Sequence, residues 1–113
     1  MRLILDVFSG RPNPSFNLSL EVAKVVVDFI QDLPTVNSFV FPTVQRLGYR
    51  GFIIDFDDDN KVYLEFYKKT VRATYNDGKE AFFKDILGFE DFLKEVMLQC
   101  ADLSQTAIDV MMD

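Results

Sequence analysis

Residues 51–84, GFIIDFDDDNKVYLEFYKKTVRATYNDGKEAFFK, decide the fold. In 51–57, Phe52, Ile54 and Phe56 share one parity and Ile53, Asp55 and Asp57 the other, which is the period of two of a half-buried strand. Asp57-Asp58-Asp59-Asn60 reads as a turn, and alternation resumes over 62–67 with Val62, Leu64 and Phe66 set against Tyr63, Glu65 and Tyr67. The apolar positions Val71, Ala73 and Tyr75 are then odd-numbered. A period of two changes parity only through a turn or a bulge, which places one at Lys68-Lys69-Thr70. Asn76-Asp77-Gly78-Lys79 is a tight-turn sequence, because Asp-Gly tolerates positive φ, and 79–84 returns as a further strand.

Outward from this β region, residues 2–8 are also β-rich and stop at Ser9-Gly10. Residues 19–32 read as a helix with Ser19 as N-cap and Pro34 beyond its end. Its polar residues Glu21, Lys24, Asp28 and Gln31 form one narrow stripe, so most of the helix is expected to be buried. Residues 35–50 are the least legible, with a short helical turn expected from Val44 to Leu47. Residues 89–100 put Phe89, Phe92, Leu93, Val96, Met97 and Cys100 on one helical face, and Asp102 to Gln105 resembles a capping box before a last helix. The expectation is an α+β fold: a single domain spanning 1–113, with a mainly antiparallel sheet of four to five strands packed against N-terminal and C-terminal helices.

Composition narrows the chemistry. The 113 residues contain no His and one Cys, which removes Ser-His and Cys-His nucleophile pairs and disfavours zinc. Eighteen acidic against 12 basic residues give a net charge of −6, which argues against nucleic-acid binding and is compatible with a basic protein or peptide partner. No apolar run approaches the length of a membrane span, and Met1-Arg2-Leu3-Ile4-Leu5-Asp6 does not read as a signal peptide. With Cys100 unable to form an internal disulfide and expected to lie inert in the core, a reducing, cytoplasmic location is expected. No cofactor motif is present; Gly10 and the pair Gly48 and Gly51 lack the strand–loop–helix setting of a phosphate loop.

Ser9-Gly10-Arg11-Pro12-Asn13-Pro14 is the most unusual segment. Each proline fixes its own φ and holds the residue before it extended, so Arg11 and Asn13 sit in a stiff loop. Stiffness lowers the entropic cost of recognition; the structural alternative is that both side chains tie the loop to its own domain. Gly48-Tyr49-Arg50-Gly51 offers a second polar edge, where an arginine fork suits a carboxylate or simply pairs with a nearby acid. Asp55, Asp57, Asp59 and Asn60 have calcium-loop spacing, but the sixth position is Asn60 rather than Gly and the twelfth is Phe66 rather than Glu.

The segments Asp6 to Pro14 and Leu47 to Phe52 resemble those of small, mainly bacterial proteins with an SGRPNP loop and a GYRGF segment, to which no activity is assigned. The resemblance covers 6–16 and 47–52, and Phe16 stands where those proteins often carry Trp. It implies that the two loops work together, by packing against each other.

The leading expectation is a non-enzymatic peptide- or protein-binding module, accessory or immunity-like, that binds through Arg11, Asn13, Tyr49 and Arg50 or through a strand edge. Two alternatives remain. One is a small enzyme that orients an anionic substrate with Arg11, Tyr49 and Arg50, which predicts a concave pocket holding a carboxylate of raised pKa. The other is a calcium-binding module at Asp55–Asn60.

Overall fold

The computed structural model describes residues 1–8, 12–31, 33–35, 49–56 and 63–112. Among these residues, six strands form one antiparallel sheet: β1 (Arg2–Leu5), β2 (Ser15–Asn17), β3 (Phe52–Asp55), β4 (Tyr63–Tyr67), β5 (Thr70–Thr74) and β6 (Glu80–Lys84), in the order β2-β1-β3-β4-β5-β6. Three helices are present among the described residues: α1 (Leu20–Gln31), α2 (Phe89–Cys100) and α3 (Gln105–Met112). The class is α+β as expected, with six strands rather than four to five. The strand that sequence reading lacked is β2, hidden behind Pro12 and Pro14 in what reads as a loop.

Register explains the core. Leu3, Ile54, Leu64 and Ala73 lie side by side across four strands, and Leu5, Phe52, Phe66 and Val71 form a parallel row. All eight are buried. They share one apolar cluster with Val26 of α1, Phe89, Leu93, Val96 and Met97 of α2, and Ala107 and Met111 of α3. Phe89 is the hinge of this packing, with ring centroids 5.0 Å from Phe66 and 4.8 Å from Phe29. Burying an aromatic of this size contributes about 1.5–3 kcal/mol. Residues of the other parity carry a polar ladder, in which Arg72 pairs with Glu65 at 2.7 Å and with Glu80 at 3.6 Å, and Arg2 with Asp55 at 3.6 Å.

The parity switch resolves as a two-residue hairpin. Tyr67 pairs with Thr70, and Lys68 and Lys69 occupy the turn with φ of 50° and 62°, a left-handed pair more usual for Asn-Gly. The next hairpin uses a three-residue loop, Asn76 to Gly78, closed by Tyr75 N–H to Lys79 O at 2.9 Å, with only Gly78 at positive φ. The outer edge of β6 meets residues 33–35 through a bridge between Thr35 and Phe83 and a bond from Lys84 N–H to Pro34 O at 3.1 Å.

Several expectations are corrected. The first strand ends at Leu5 rather than Phe8, because the amides of Val7 and Phe8 bond to a side chain instead of a ladder (below). Helix α1 is not mostly buried: only Val26 is, while Leu20 is 90% exposed and Val25 and Val27 are exposed as well. Its contact face consists of Val26 with the partly covered Val22, Ala23, Phe29 and Ile30, since α2 and α3 share the same sheet face. Ser19 caps α1 as expected, accepting Val22 N–H at 3.2 Å. Helix α3 is capped by Ser104, which accepts Ala107 N–H at 3.2 Å, not from Asp102. Cys100, at the end of α2, is exposed rather than core. The turn expected over Val44–Leu47 lies outside the described residues.

Gly51 makes β3 possible. Its φ is +94°, and a Cβ there would lie 1.9 Å from the carbonyl oxygen of Phe66. Gly51→Ala is therefore expected to cost about 3 kcal/mol, combining overpacking with a disfavoured φ. Gly78→Ala, at φ +85° but with nothing within 4 Å of the added carbon, is expected to cost about 1 kcal/mol. Urea unfolding of both variants checks the order; equal losses would contradict the close-approach explanation.

Candidate functional site

The stiff loop and the Tyr49–Arg50 segment meet at one carboxylate. Asp6 Oδ1 accepts Arg50 Nη2 at 2.8 Å and Asn13 Nδ2 at 3.2 Å. Asn13 Oδ1 in turn accepts the backbone N–H groups of Val7 at 3.0 Å and Phe8 at 2.7 Å. Arg50 Nη2 also reaches Phe8 O at 2.7 Å, while its Nε is buried without a hydrogen-bond partner among the described residues. Backbone bonds reinforce the junction: Leu5 N–H to Pro14 O at 2.9 Å, Asp6 N–H to Gly51 O at 3.0 Å, and Arg50 N–H to Asp6 O at 2.8 Å. The extended conformations imposed by the prolines let Asn13 fold back beside the end of β1.

Tyr49 leads from this junction to α2. Its hydroxyl donates to Glu90 Oε2, and its ring packs edge-on against Phe52 and Tyr67, with both centroids 5.9 Å away. The Lys94 ammonium lies 4.7 Å from the Tyr49 ring centroid, a cation–π contact. Burial pushes the Tyr49 phenol well above the usual tyrosine range, and the bond to Glu90 adds to that shift. Burial likewise raises the Glu90 carboxyl, and the Asp85 charge adds to this; the Tyr49 hydroxyl, Lys94 and the Lys68 backbone N–H act in the opposite direction.

Glu90 lines an open cleft of about 710 Å³ together with Lys68, Lys69, Thr70, Lys84, Asp85, Ile86, Gly88 and Asp91. Asp85 is buried and caps α2, accepting Phe89 N–H at 2.7 Å and Glu90 N–H at 2.9 Å. No family model, curated protein or solved structure matches the chain.

Of the four residues singled out from sequence, the structure brings Asn13 and Arg50 together at Asp6, turns the side chain of the neighbouring Tyr49 to Glu90 of α2 instead, and leaves Arg11 outside the described residues. Asn13 and Arg50 direct their polar atoms at Asp6 and the backbone, the structural alternative weighed for both. Sequence reading missed Glu90, whose only local signal is its place in the first turn of a helix. It also missed the cleft, which joins residues far apart in the chain. At the calcium-type run, Asp55 pairs with Arg2, and 57–60 lie outside the described residues. Among the described residues, no three of His, Cys, Asp and Glu gather to hold a metal ion, and no helix is long and apolar enough to cross a membrane.

Asp6→Ala leaves Arg50 partly buried without its acid and frees Asn13. A loss of about 1–3 kcal/mol is expected, since charged hydrogen bonds are strong but this pair is about a quarter exposed. Urea unfolding measures it, and a loss below about 0.5 kcal/mol, typical of an ordinary surface site, would contradict a central role.

Glu90 gives a signed pH dependence. The folded chain holds its proton more tightly than the unfolded chain, so its contribution to stability falls as pH rises from the ordinary value of 4.5 through the raised one. Glu90→Gln, which preserves an acceptor for Tyr49, is expected to gain stability relative to wild type across that window. A pH-independent difference in unfolding free energy would contradict the shift.

Proposed function

We propose that this chain is a non-enzymatic peptide- or protein-binding module, accessory or immunity-like in role, whose recognition surface is the Arg-Pro-Asn-Pro loop together with Tyr49 and Arg50. The observation that supports this reading is the shared Asp6 carboxylate, which bonds to Asn13 of one loop and Arg50 of the other. Two segments rich in recognition-type residues are held as one unit, and a surface ordered before binding loses less entropy on binding. Arg11, which precedes Pro12 in the sequence, is the residue of this group best suited to a partner carboxylate. The net charge of −6 favours a partner that is basic overall.

A second reading is a small enzyme acting on an anionic substrate. The specific observation in its favour is the lysine-bearing cleft with the raised Glu90 carboxyl in its wall, since a carboxylate raised toward neutrality is a more competent base.

Selection of peptides from a displayed random library, followed by titration of the enriched sequences, separates the two. The binding reading predicts enriched peptides whose affinity falls about tenfold or more on Arg11→Ala at unchanged melting temperature. It also predicts weaker binding by Asp6→Asn, through loosened loops. No enrichment, or affinities untouched by Arg11→Ala, would overturn it.

A further inference from the structure

The cleft beside α2 has a charge balance that the acidic composition conceals. Three lysines reach it: Lys68 and Lys69 from the β4–β5 turn and Lys84 from the end of β6. Backbone pairing fixes where they start. Lys84 lies opposite Thr70 in register, and Asp85 N–H donates to Lys69 O at 2.9 Å, so the turn and the strand end are tied together. Among the described residues none of the three forms an ion pair, and all three are exposed. Lys68 stacks its ammonium 5.3 Å from the Tyr67 ring centroid, an arrangement that leaves the charge unneutralised.

The acids of the cleft are mostly engaged elsewhere. Both oxygens of Asp85 accept amides at the start of α2, where the helix dipole offsets part of the charge. Glu90 accepts the Tyr49 hydroxyl. Among the described residues, Asp91 is the one acid of the lining that is exposed. The uncommitted groups are therefore three ammoniums and one carboxylate. A volume of about 710 Å³ lies within the usual range for small-molecule sites. Several ammoniums held at separate points suit a ligand with more than one anionic group, because each lysine acts as a point charge rather than a planar fork.

We propose that this cleft binds a small anion carrying two or more negatively charged oxygen groups, of phosphate or carboxylate type, through Lys68, Lys69 and Lys84. The three lysines lie outside the peptide-binding surface around Asp6, which meets the cleft through the Tyr49–Glu90 bond, and anion binding is tested separately from peptide binding.

The test is an amide NMR titration of the full chain with pyrophosphate and, separately, with citrate, at ionic strength held constant with sodium chloride. Saturable shifts are expected at Lys68–Thr70 and Lys84–Gly88. Affinity is expected to fall about tenfold or more in the Lys69→Gln, Lys84→Gln double variant, whose remaining spectrum reports its fold. The two single variants, each expected to weaken binding by a smaller factor, serve if the double variant does not fold. Binding of pyrophosphate alone assigns the site to phosphates, citrate alone to carboxylates, and both to multivalent anions generally. No saturable shift with either anion, shifts centred outside the cleft, or affinity unchanged in the variants would overturn the proposal.

Discussion

The Asp6 carboxylate holds together the part of the molecule that distance in sequence would otherwise separate. It stands one residue beyond β1, where the ladder stops, and accepts donors from residues 13 and 50. The amides of Val7 and Phe8 would be orphaned by the end of the strand, yet both bond to Asn13. Arg50 N–H and Gly51 O then continue the pairing of β1 with β3 past its nominal end. One side-chain cluster thus ends a strand, anchors a proline-stiffened loop and orients the segment that carries Tyr49 toward α2.

Much of the fold was legible in the sequence because period and punctuation are local signals. The parity change between Phe66 and Val71 located the β4–β5 turn, and the spacing from Phe89 to Cys100 gave the bounds of α2. What was lost has a physical cause in each instance. Strand β2 is three residues long and follows two prolines, so no alternation can establish itself. The apolar residues Val7 and Phe8 continue the pattern of β1 while their hydrogen bonds do not. The burial of α1 was overestimated because a thin polar stripe describes what a helix could bury. The share of the sheet left to it by α2 and α3 is a property of the whole fold.

The candidate site was legible as a set of residue types and much less as geometry. Pairing of Asn13 with the loop and of Arg50 with an acid were each foreseeable chemistries, but that one acid serves both is a tertiary fact. The bond from Tyr49 to Glu90 spans 41 positions, and no periodicity reports it. The cleft depends on a turn, a strand end and a helix start meeting in space, so a chain of net charge −6 gathers three lysines beside three acids at one place. Whole-chain charge and local field are different quantities, and a binding site responds to the second.

The most direct test of the central role given to Asp6 and Asn13 is amide hydrogen exchange at Val7 and Phe8, in wild type and in Asn13→Ala. The account predicts slow exchange at both amides in wild type, although they lie outside the strand, and fast exchange in the variant while Leu64 and Val71 in the sheet stay protected. Fast exchange in wild type, or protection that survives Asn13→Ala, would contradict it.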